Sequence, residues 1–320
     1  MSWLERMQSV LVAAAAALGL GFGALTDLGG AGEYVVLPAL VVMLVAVFAQ
    51  LSPGRVGQVR SAKRLVAASL VLNYVFTPAL AWALGAGLLS DEPDLRIGLL
   101  LLLVTPCTDW YLVFTALAKG HTGIAAALLP VNLVLQLLLL PVYVLLLGGE
   151  AAGVGVATLF ETVVLVLVAP LVVAVLLRWW AHRTGAVDRL ETVSSSAVVP
   201  LLCVAVFAMF AWQAPAVLDH AGEILLLLPP LVVFFAGLPL VATGVSALLR
   251  LPSAQRVTLT MVTTARNSPI ALAVAVAAFP DRPLIAVALV VGPLIELPLL
   301  AVLAQVVRNR QPIPVAEAQR

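Results

Sequence analysis

The sequence predicts an all-α polytopic membrane protein of ten transmembrane helices, arranged as two inverted five-helix repeats. Three observations support this prediction. The chain is very apolar, its apolar stretches are long enough to cross a bilayer, and its fourth and ninth stretches are interrupted in the same way.

The composition places the chain in a lipid bilayer. Of the 320 residues, 63% are hydrophobic and only 10% are charged. Soluble domains usually carry about 25% charged residues, so this chain cannot cover a water-facing surface of ordinary polarity. A net charge of +1 without a basic tract predicts no nucleic-acid partner. Both cysteines, Cys107 and Cys203, fall in apolar stretches, so no disulfide framework is expected.

Ten apolar windows, each roughly 18–25 residues long, are bounded by charged residues, Gly or Pro. They cover residues 8–26, 34–51, 65–89, 95–118, 122–147, 154–178, 195–213, 222–249, 256–279 and 284–307. The first window, behind Arg6, also fits a cleaved signal peptide. An even number of helices and the repeat described below both require it as a retained helix.

The loop charges predict the orientation. Fourteen of the 17 Lys and Arg residues fall on the side of the N-terminus, and only Arg96 and Arg282 fall in loops on the other side. Basic loops remain cytoplasmic. We therefore expect a multi-pass protein of the cell membrane with both termini in the cytoplasm.

A few ionisable residues fall inside the predicted spans: Asp109, Glu161, Arg266 and Glu296. A charge at membrane depth costs roughly 2.5–3.5 kcal/mol and marks function by default, with structural pairing as the alternative. Glu161 lies near the outer end of its span, and we interpret it as a solvated or locally paired carboxylate.

Two spans are interrupted by polar clusters that contain a proline. The cluster in the fourth span consists of Thr105, Pro106, Cys107, Thr108 and Asp109. The cluster in the ninth span, found by moving 160 residues along the chain, consists of Arg266, Asn267, Ser268 and Pro269. Proline breaks the helix, and the freed backbone groups persist in a membrane only beside protein or an aqueous cavity. Matching breaks predict two repeats, residues 1–150 and 151–320, with a solute site near the midplane.

Each broken span is followed by a Pro-rich span that carries polar residues. Asn132 and Gln136 are four residues apart, so they share one face of the fifth helix and are expected to line the site. Glu296 lies at mid-depth in the tenth span, between Pro293 and Pro298. We expect Glu296 to be a proton-binding group.

The segments TPCTDWYLVFTALAKGHTGIAAALLPVNLVLQ and GPLIELPLLAVLAQVV resemble the arsenite efflux permeases of the arsenical resistance-3 family. That family is a branch of the bile acid/sodium symporter superfamily, to which LNYVFTPALAW in the third span is also similar. The resemblance implies a panel of helices 1, 2, 6 and 7 beside a core of helices 3–5 and 8–10, in which broken helices 4 and 9 cross. It also implies that Cys107 is the essential thiol and Glu296 the essential carboxylate.

The sequence departs from these permeases at two positions. Asp109 stands where they usually have an apolar residue, and Arg266 stands in a break that typically reads Ala-Ser-Asn. The sodium-coupled branch uses carboxylate and amide groups at this point to coordinate sodium, whereas Arg266 places a permanent positive charge there. We therefore expect protons rather than sodium as the coupling ion.

Cys107 directly follows the helix-breaking Pro106. A thiol is a soft ligand, suited to trivalent arsenic or antimony, which travel at neutral pH as uncharged hydroxides. The alternative is that Cys107 is a small core residue. Other expected solute contacts are Thr108, Arg266, Asn267 and Ser268, whereas Thr105, Pro106 and Pro269 shape the breaks or line the site.

Asp109 and Arg266 form the expected charge pair if the two breaks cross. In one interpretation the pair is a structural salt bridge. In a second, Asp109 is protonated in one state and paired with Arg266 in the other, which gives proton-linked exchange. In a third, Arg266 holds an anionic solute while Asp109 carries the proton.

The function predicted first is a secondary active transporter that exports arsenite or antimonite in exchange for protons. The alternative is the same scaffold carrying an organic or inorganic anion, with Arg266 as its counter-charge. An intramembrane enzyme is disfavoured because the sequence has no His-rich metal motif, no GxSxG and no His at membrane depth. No cofactor, resident metal or ATP-binding loop is expected.

Overall fold

A computed structural model describes residues 3–26, 29–50, 62–107, 110–148, 161–162 and 164–309, and the regular elements in these ranges are helical. The α-helices with described bounds are, in chain order, α1 (Trp3–Leu25), α2 (Glu33–Ala49), α3 (Lys63–Val71), α4 (Thr77–Leu88), α5 (Pro93–Val104), α6 (Trp110–Leu117), α7 (Thr122–Gly148), α8 (Ala169–Thr184), α9 (Val187–Trp212), α10 (Ala214–Asp219), α11 (Ala221–Ile224), α12 (Leu228–Leu248), α13 (Ser253–Thr264), α14 (Ser268–Ala278) and α15 (Pro283–Asn309). The prediction of an all-α fold is confirmed for this part of the chain.

Several helices are long and apolar enough to cross a membrane. In the described ranges six segments meet that requirement: Gly29–Ala49, Lys63–Leu88, Thr122–Gly148, Leu165–Thr184, Val187–Trp212 and Ala221–Leu248. Shorter apolar stretches occur in α1, α14 and α15. The protein is therefore a multi-pass membrane protein. The count of ten spans, the two inverted repeats, the panel and core, and the cytoplasmic termini stay predictions.

Prolines fall inside several helices without breaking them. Pro130 and Pro141 lie within α7, and Pro200 and Pro239 lie within α9 and α12. Before Pro78, the chain instead forms a π-helical turn, Leu72–Phe76, between α3 and α4. Such a turn accommodates the hydrogen bond that proline cannot donate. A proline alone therefore does not produce the two interruptions described below.

The connection between α8 and α9 is shorter than the sequence predicts. Residues 179–194 were expected to form a loop, but α8 continues to Thr184 and α9 already begins at Val187. Gly185 makes the turn possible because its φ of +70° is one that glycine adopts without strain. The apolar windows locate the membrane-buried part of a helix, whereas the helix itself continues into polar sequence.

Helices α1, α2, α8 and α9 pack on one another. Gly19 and Gly23 of α1 lie directly against the backbone of α9. A Cβ atom on either would fall 2.3 or 2.1 Å from the carbonyl oxygen of Phe207 or Ala211. Small residues allow such close contact between helices in a membrane.

The buried apolar side chains form two clusters, and the helix breaks lie between them. The first cluster contains most of α5 and α14, and the second contains the buried residues of α6 and α13. The two halves of each broken span therefore belong to different clusters. The polar residues of the breaks lie at the boundary between these clusters.

Candidate functional site

The two broken spans meet at their breaks. Helix α5 ends at Val104 and α13 ends at Thr264, and an extended peptide follows each. The N–H of Cys107 donates to the carbonyl of Ala265 at 3.0 Å, and the N–H of Asn267 donates to the carbonyl of Thr105 at 2.8 Å. These bonds enclose Pro106 and Arg266 as one antiparallel pair. The paired residues are 160 positions apart, the same shift that relates the two polar clusters in the sequence.

The main-chain groups of the central pair point away from the crossing. In this type of antiparallel pair the flanking residues exchange the hydrogen bonds, so the central residues donate elsewhere. Pro106 has no N–H and therefore leaves no buried donor unsatisfied. Arg266 does have an N–H, and this group donates to Oε1 of Glu296 on α15 at 2.7 Å. The carboxylate is buried, with 3% of Glu296 exposed.

Short-range contacts define the helix ends at both breaks. The Thr105 hydroxyl donates to the carbonyls of Leu101 and Leu102 in the last turn of α5. At the start of α14, Oδ1 of Asn267 accepts from the N–H of Ile270 at 3.2 Å, which is an N-cap contact. Pro269 lies in the first turn of α14, where its missing N–H costs little. These contacts place Thr105 at the end of α5 and Pro269 at the start of α14.

The guanidinium of Arg266 joins the C-terminal ends of both half-helices. Nη1 donates to the carbonyl of Leu103 in α5 at 2.8 Å. Nε donates to the carbonyl of Thr264 at 3.3 Å, and Nη2 donates to the carbonyl of Thr263, both in α13. The last carbonyls of a helix have no intrahelical donor and carry partial negative charge. Arg266 therefore satisfies two helix ends with one side chain.

Two further helices complete the surroundings of this guanidinium. Nη2 also donates to Oδ1 of Asn73, in the π-helical turn between α3 and α4, at 2.9 Å. The ring of Phe234 on α12 lies 5.3 Å from Cζ, within the range of a cation–π contact. Only 2% of Arg266 is exposed. The charge is thus enclosed by protein groups from four segments of the chain.

Cys107 lies beside this charged centre. The residue is 1% exposed, its N–H forms part of the crossing, and it interacts electrostatically with Arg266. Thr108 and Asp109 lie outside the described residues, so the expected contact between Asp109 and Arg266 stays a prediction. Glu296 is the carboxylate that contacts Arg266 among the described residues. Cys203 is half-buried and packs against the first apolar cluster.

Comparison with known proteins decides the family. The model of the Sodium Bile acid symporter family matches residues 37–220, more than half of the chain. The chain belongs to this family. It is 27% identical over 294 residues to the arsenical-resistance protein Acr3 of Corynebacterium glutamicum, a match that covers 88% of this chain and 79% of that protein. The protein is therefore a membrane transporter and not an enzyme.

Several polar side-chain atoms on α7 of this transporter are buried and have no hydrogen-bond partner in the part of the chain that the structure describes. Gln136 is 1% exposed, and neither its Oε1 nor its Nε2 forms a hydrogen bond within the described structure. Nδ2 of Asn132 likewise has no hydrogen-bond partner there, although the backbone carbonyl of Asn132 accepts from the hydroxyl of Tyr74 at 2.9 Å. The Ser268 hydroxyl at the start of α14 also has no partner there. Buried polar groups are costly to leave unpaired, so these groups are suited to contact a polar solute.

Sequence reasoning missed two members of this transporter's charged centre. Asn73 belongs to the segment LNYVFTPALAW, which the sequence indicates only through its family resemblance, although a mid-span amide in an otherwise apolar helix already signals a polar partner. Phe234 gives no signal in the sequence because phenylalanine is common in apolar spans. The contact between Glu296 and Arg266 was also missed, since the two residues belong to different predicted helices.

Proposed function

We propose that this transporter exports trivalent metalloid hydroxides, arsenite and antimonite, in exchange for protons. One observation carries the proposal: a buried thiol, Cys107, lies at the crossing of two broken helices. The arsenical-resistance protein of Corynebacterium glutamicum, to which the chain is similar over most of its length, supports the choice of solute. Thiolate sulfur is a soft ligand and binds soft trivalent metalloids in preference to oxygen.

Buried polar groups on α7 and at the start of α14 fit an uncharged solute that carries hydroxyl groups. The Ser268 hydroxyl and the Gln136 amide have unused hydrogen-bonding capacity, and amides and hydroxyls can each donate and accept. Thr108 follows Cys107 in the chain, and Asn267 follows Arg266. These two residues complete the proposed solute contacts. A single thiol binds such a solute weakly enough to release it.

Arg266 weighs against the alternative, an anionic solute. All three of its side-chain nitrogens donate to protein oxygens at the crossing. The guanidinium therefore serves to hold the helix ends together. We assign it a positioning role rather than contact with the solute. Protonated lysine or arginine groups that bind transported anions must instead direct donors at the solute.

Two carboxylates are proposed to carry the coupling proton. Glu296 contacts the backbone of Arg266 and is enclosed by the protein. Asp109 follows Cys107 by two residues and is the second proton carrier in the proposal. Solute binding at Cys107 and proton binding at these groups would then act on the same crossing, which is the requirement for exchange.

The test is arsenite uptake into everted membrane vesicles under an imposed pH gradient, acid inside. The proposal expects uptake that requires the gradient and is unchanged when sodium is replaced by choline. Cys107→Ser should lower the rate at least about tenfold, because oxygen is a harder ligand than sulfur. Cys203→Ser is the matched control and should retain the wild-type rate.

The two parts of the proposal fail separately. Full arsenite uptake by the Cys107→Ser variant would overturn the role of the thiol. Unchanged proton-driven uptake in both Glu296→Gln and Asp109→Asn would overturn the proposed coupling. Uptake of an organic anion that is lost in Arg266→Gln, without any arsenite uptake by the wild type, would favour the anion carrier instead.

A further inference from the structure

We infer that the crossing contains a cation site and that the guanidinium of Arg266 occupies it permanently, in place of a mobile metal ion. This inference goes beyond the proposed function, because it concerns the charge at the crossing and assumes nothing about the solute. It predicts that removing the guanidinium opens the site to a monovalent cation such as Na⁺.

Oxygen groups of the protein surround the guanidinium of Arg266. Its partners are the carbonyl oxygens of Leu103, Thr263 and Thr264 and the amide oxygen Oδ1 of Asn73. Four oxygens from three separate segments thus converge on one positive charge. The Glu296 carboxylate, bonded to the backbone N–H of the same residue, adds a formal negative charge beside them.

The electrostatic field at the guanidinium favours a positive charge. The three carbonyls belong to the C-terminal ends of α5 and α13, where each helix dipole places negative partial charge. Unwound backbone carbonyls and half-helix C-terminal ends are the groups that coordinate alkali cations in broken transporter helices. The arrangement therefore attracts a cation whether or not that cation is attached to the chain.

The ligand groups at the crossing suit a monovalent cation. All of these groups are hard oxygen ligands, so soft transition metals are disfavoured. The direct ligands are neutral, and one carboxylate lies beside them. Calcium sites usually supply several carboxylates, whereas rings of carbonyl oxygens suit monovalent ions. A monovalent ion also replaces the single charge of the guanidinium without changing the net charge of the crossing.

The guanidinium is covalently attached to the chain, unlike a metal ion. An arginine side chain stays charged at physiological pH, and its covalent link prevents it from leaving with a transported ion. The wild-type crossing is then complete without any mobile cation. A sodium gradient cannot act through this position while Arg266 is present.

The experiment measures thermal unfolding of the purified full chain in detergent, in sodium chloride or choline chloride at the same ionic strength. The wild type is expected to show the same unfolding temperature in both salts. Arg266→Ala should unfold at lower temperature in choline and regain roughly 2–4 °C in sodium once sodium exceeds its Kd several-fold. Added guanidinium at low concentration should stabilise the same variant and leave the wild type unchanged.

Two further variants keep the test decisive. Arg266→Gln fills part of the volume without charge and should also become sodium-sensitive. Arg178→Ala is the matched control, because Arg178 also donates to a carbonyl in the last turn of a helix, that of Ala49, at 2.7 Å. Its side chain is more open to solvent than that of Arg266 and forms a salt bridge with Glu191, so its removal should create no sodium dependence.

Each result decides the inference. Sodium-specific stabilisation of Arg266→Ala or Arg266→Gln supports it. Sodium stabilisation of the wild type, or folded Arg266 variants that ignore sodium, would overturn it, as would failure of both variants to fold in sodium. The arsenite experiment is independent of these outcomes, since no solute is present in this measurement.

Discussion

At the first break the central residue of the crossing is Pro106, and at the second it is Arg266. The backbone geometry is shared, because the same pair of hydrogen bonds holds both peptides. The first break avoids an unsatisfied donor by having none, whereas the second supplies its donor with the carboxylate of Glu296. One break is therefore electrically neutral at its centre, and the other carries the charge that joins the helix ends.

The comparison extends to the helices that follow each break. A shift of 160 residues places Gln136 of α7 where Glu296 stands in α15. The Glu296 carboxylate accepts a hydrogen bond from a backbone N–H, whereas the Gln136 amide has no partner in the described structure. Because Pro106 offers no N–H, the amide in the first half remains available to other partners. The first half thus leaves an amide without a partner in the described structure, whereas the carboxylate of the second half helps to hold the crossing together.

The largest expected effect comes from removing the charge of the second break. Arg266→Met should destabilise the protein by about 3–5 kcal/mol, because it leaves buried helix-end carbonyls without their donor and removes the positive charge near Glu296. Thermal unfolding in detergent with choline as the cation measures the change. A loss below about 1 kcal/mol, typical of an exposed ion pair, would show that the two breaks do not differ as described.

The contact between Glu296 and Arg266 gives the second prediction. Glu296→Gln keeps an oxygen for the Arg266 N–H but removes the charge, and should cost about 1–3 kcal/mol. Combined with Arg266→Met it should cost less than the sum, with a coupling of about 1 kcal/mol or more. Glu191→Gln is the control. Glu191 pairs with Arg178, but 43% of the Glu191 side chain is exposed, so this pair is expected to contribute little to stability. Strict additivity at residues 266 and 296 would show that the guanidinium and the carboxylate do not interact.

The third prediction tests the role of the missing donor at the first break. Pro106→Ala restores an N–H, and Gln136 is the expected acceptor. The variant should change stability by less than about 1 kcal/mol in the wild type, but should lose about 1–3 kcal/mol in a Gln136→Leu background, where the new donor stays unpaired. Double-mutant unfolding measurements compare the two backgrounds. Equal effects in both would show that Gln136 does not correspond to Glu296.

The smallest expected effect concerns the N-cap of α14. Asn267→Ala should cost about 1 kcal/mol, because it removes the oxygen that accepts from the N–H of Ile270. Asn267→Asp keeps that oxygen and should retain most of the stability. Thermal unfolding of the two variants side by side gives the comparison. If both lose the same amount, the contribution of Asn267 lies in its amide group and not in the cap.

Much of the fold follows from local sequence. Long apolar stretches predict membrane helices regardless of how those helices pack, because the bilayer requires every backbone group to be bonded within its own segment. The two breaks were also predictable, since a proline with adjacent polar residues signals a helix interruption at membrane depth. Prolines without such neighbours, such as Pro130 and Pro141, remain inside a continuous helix. The polar neighbours were therefore the informative part of the pattern.

By itself the sequence determined that the chain is helical and membrane-embedded, and that Cys107, Arg266 and Glu296 are unusual at their depth. Only the tertiary structure decided which groups contact the charged side chain of Arg266. These are three helix-end carbonyls, the Asn73 amide and a neighbouring aromatic ring. Carbonyl groups are identical at every residue, so no residue type announces which of them will be left without a donor. That choice is made when two broken helices meet and place their ends around one side chain.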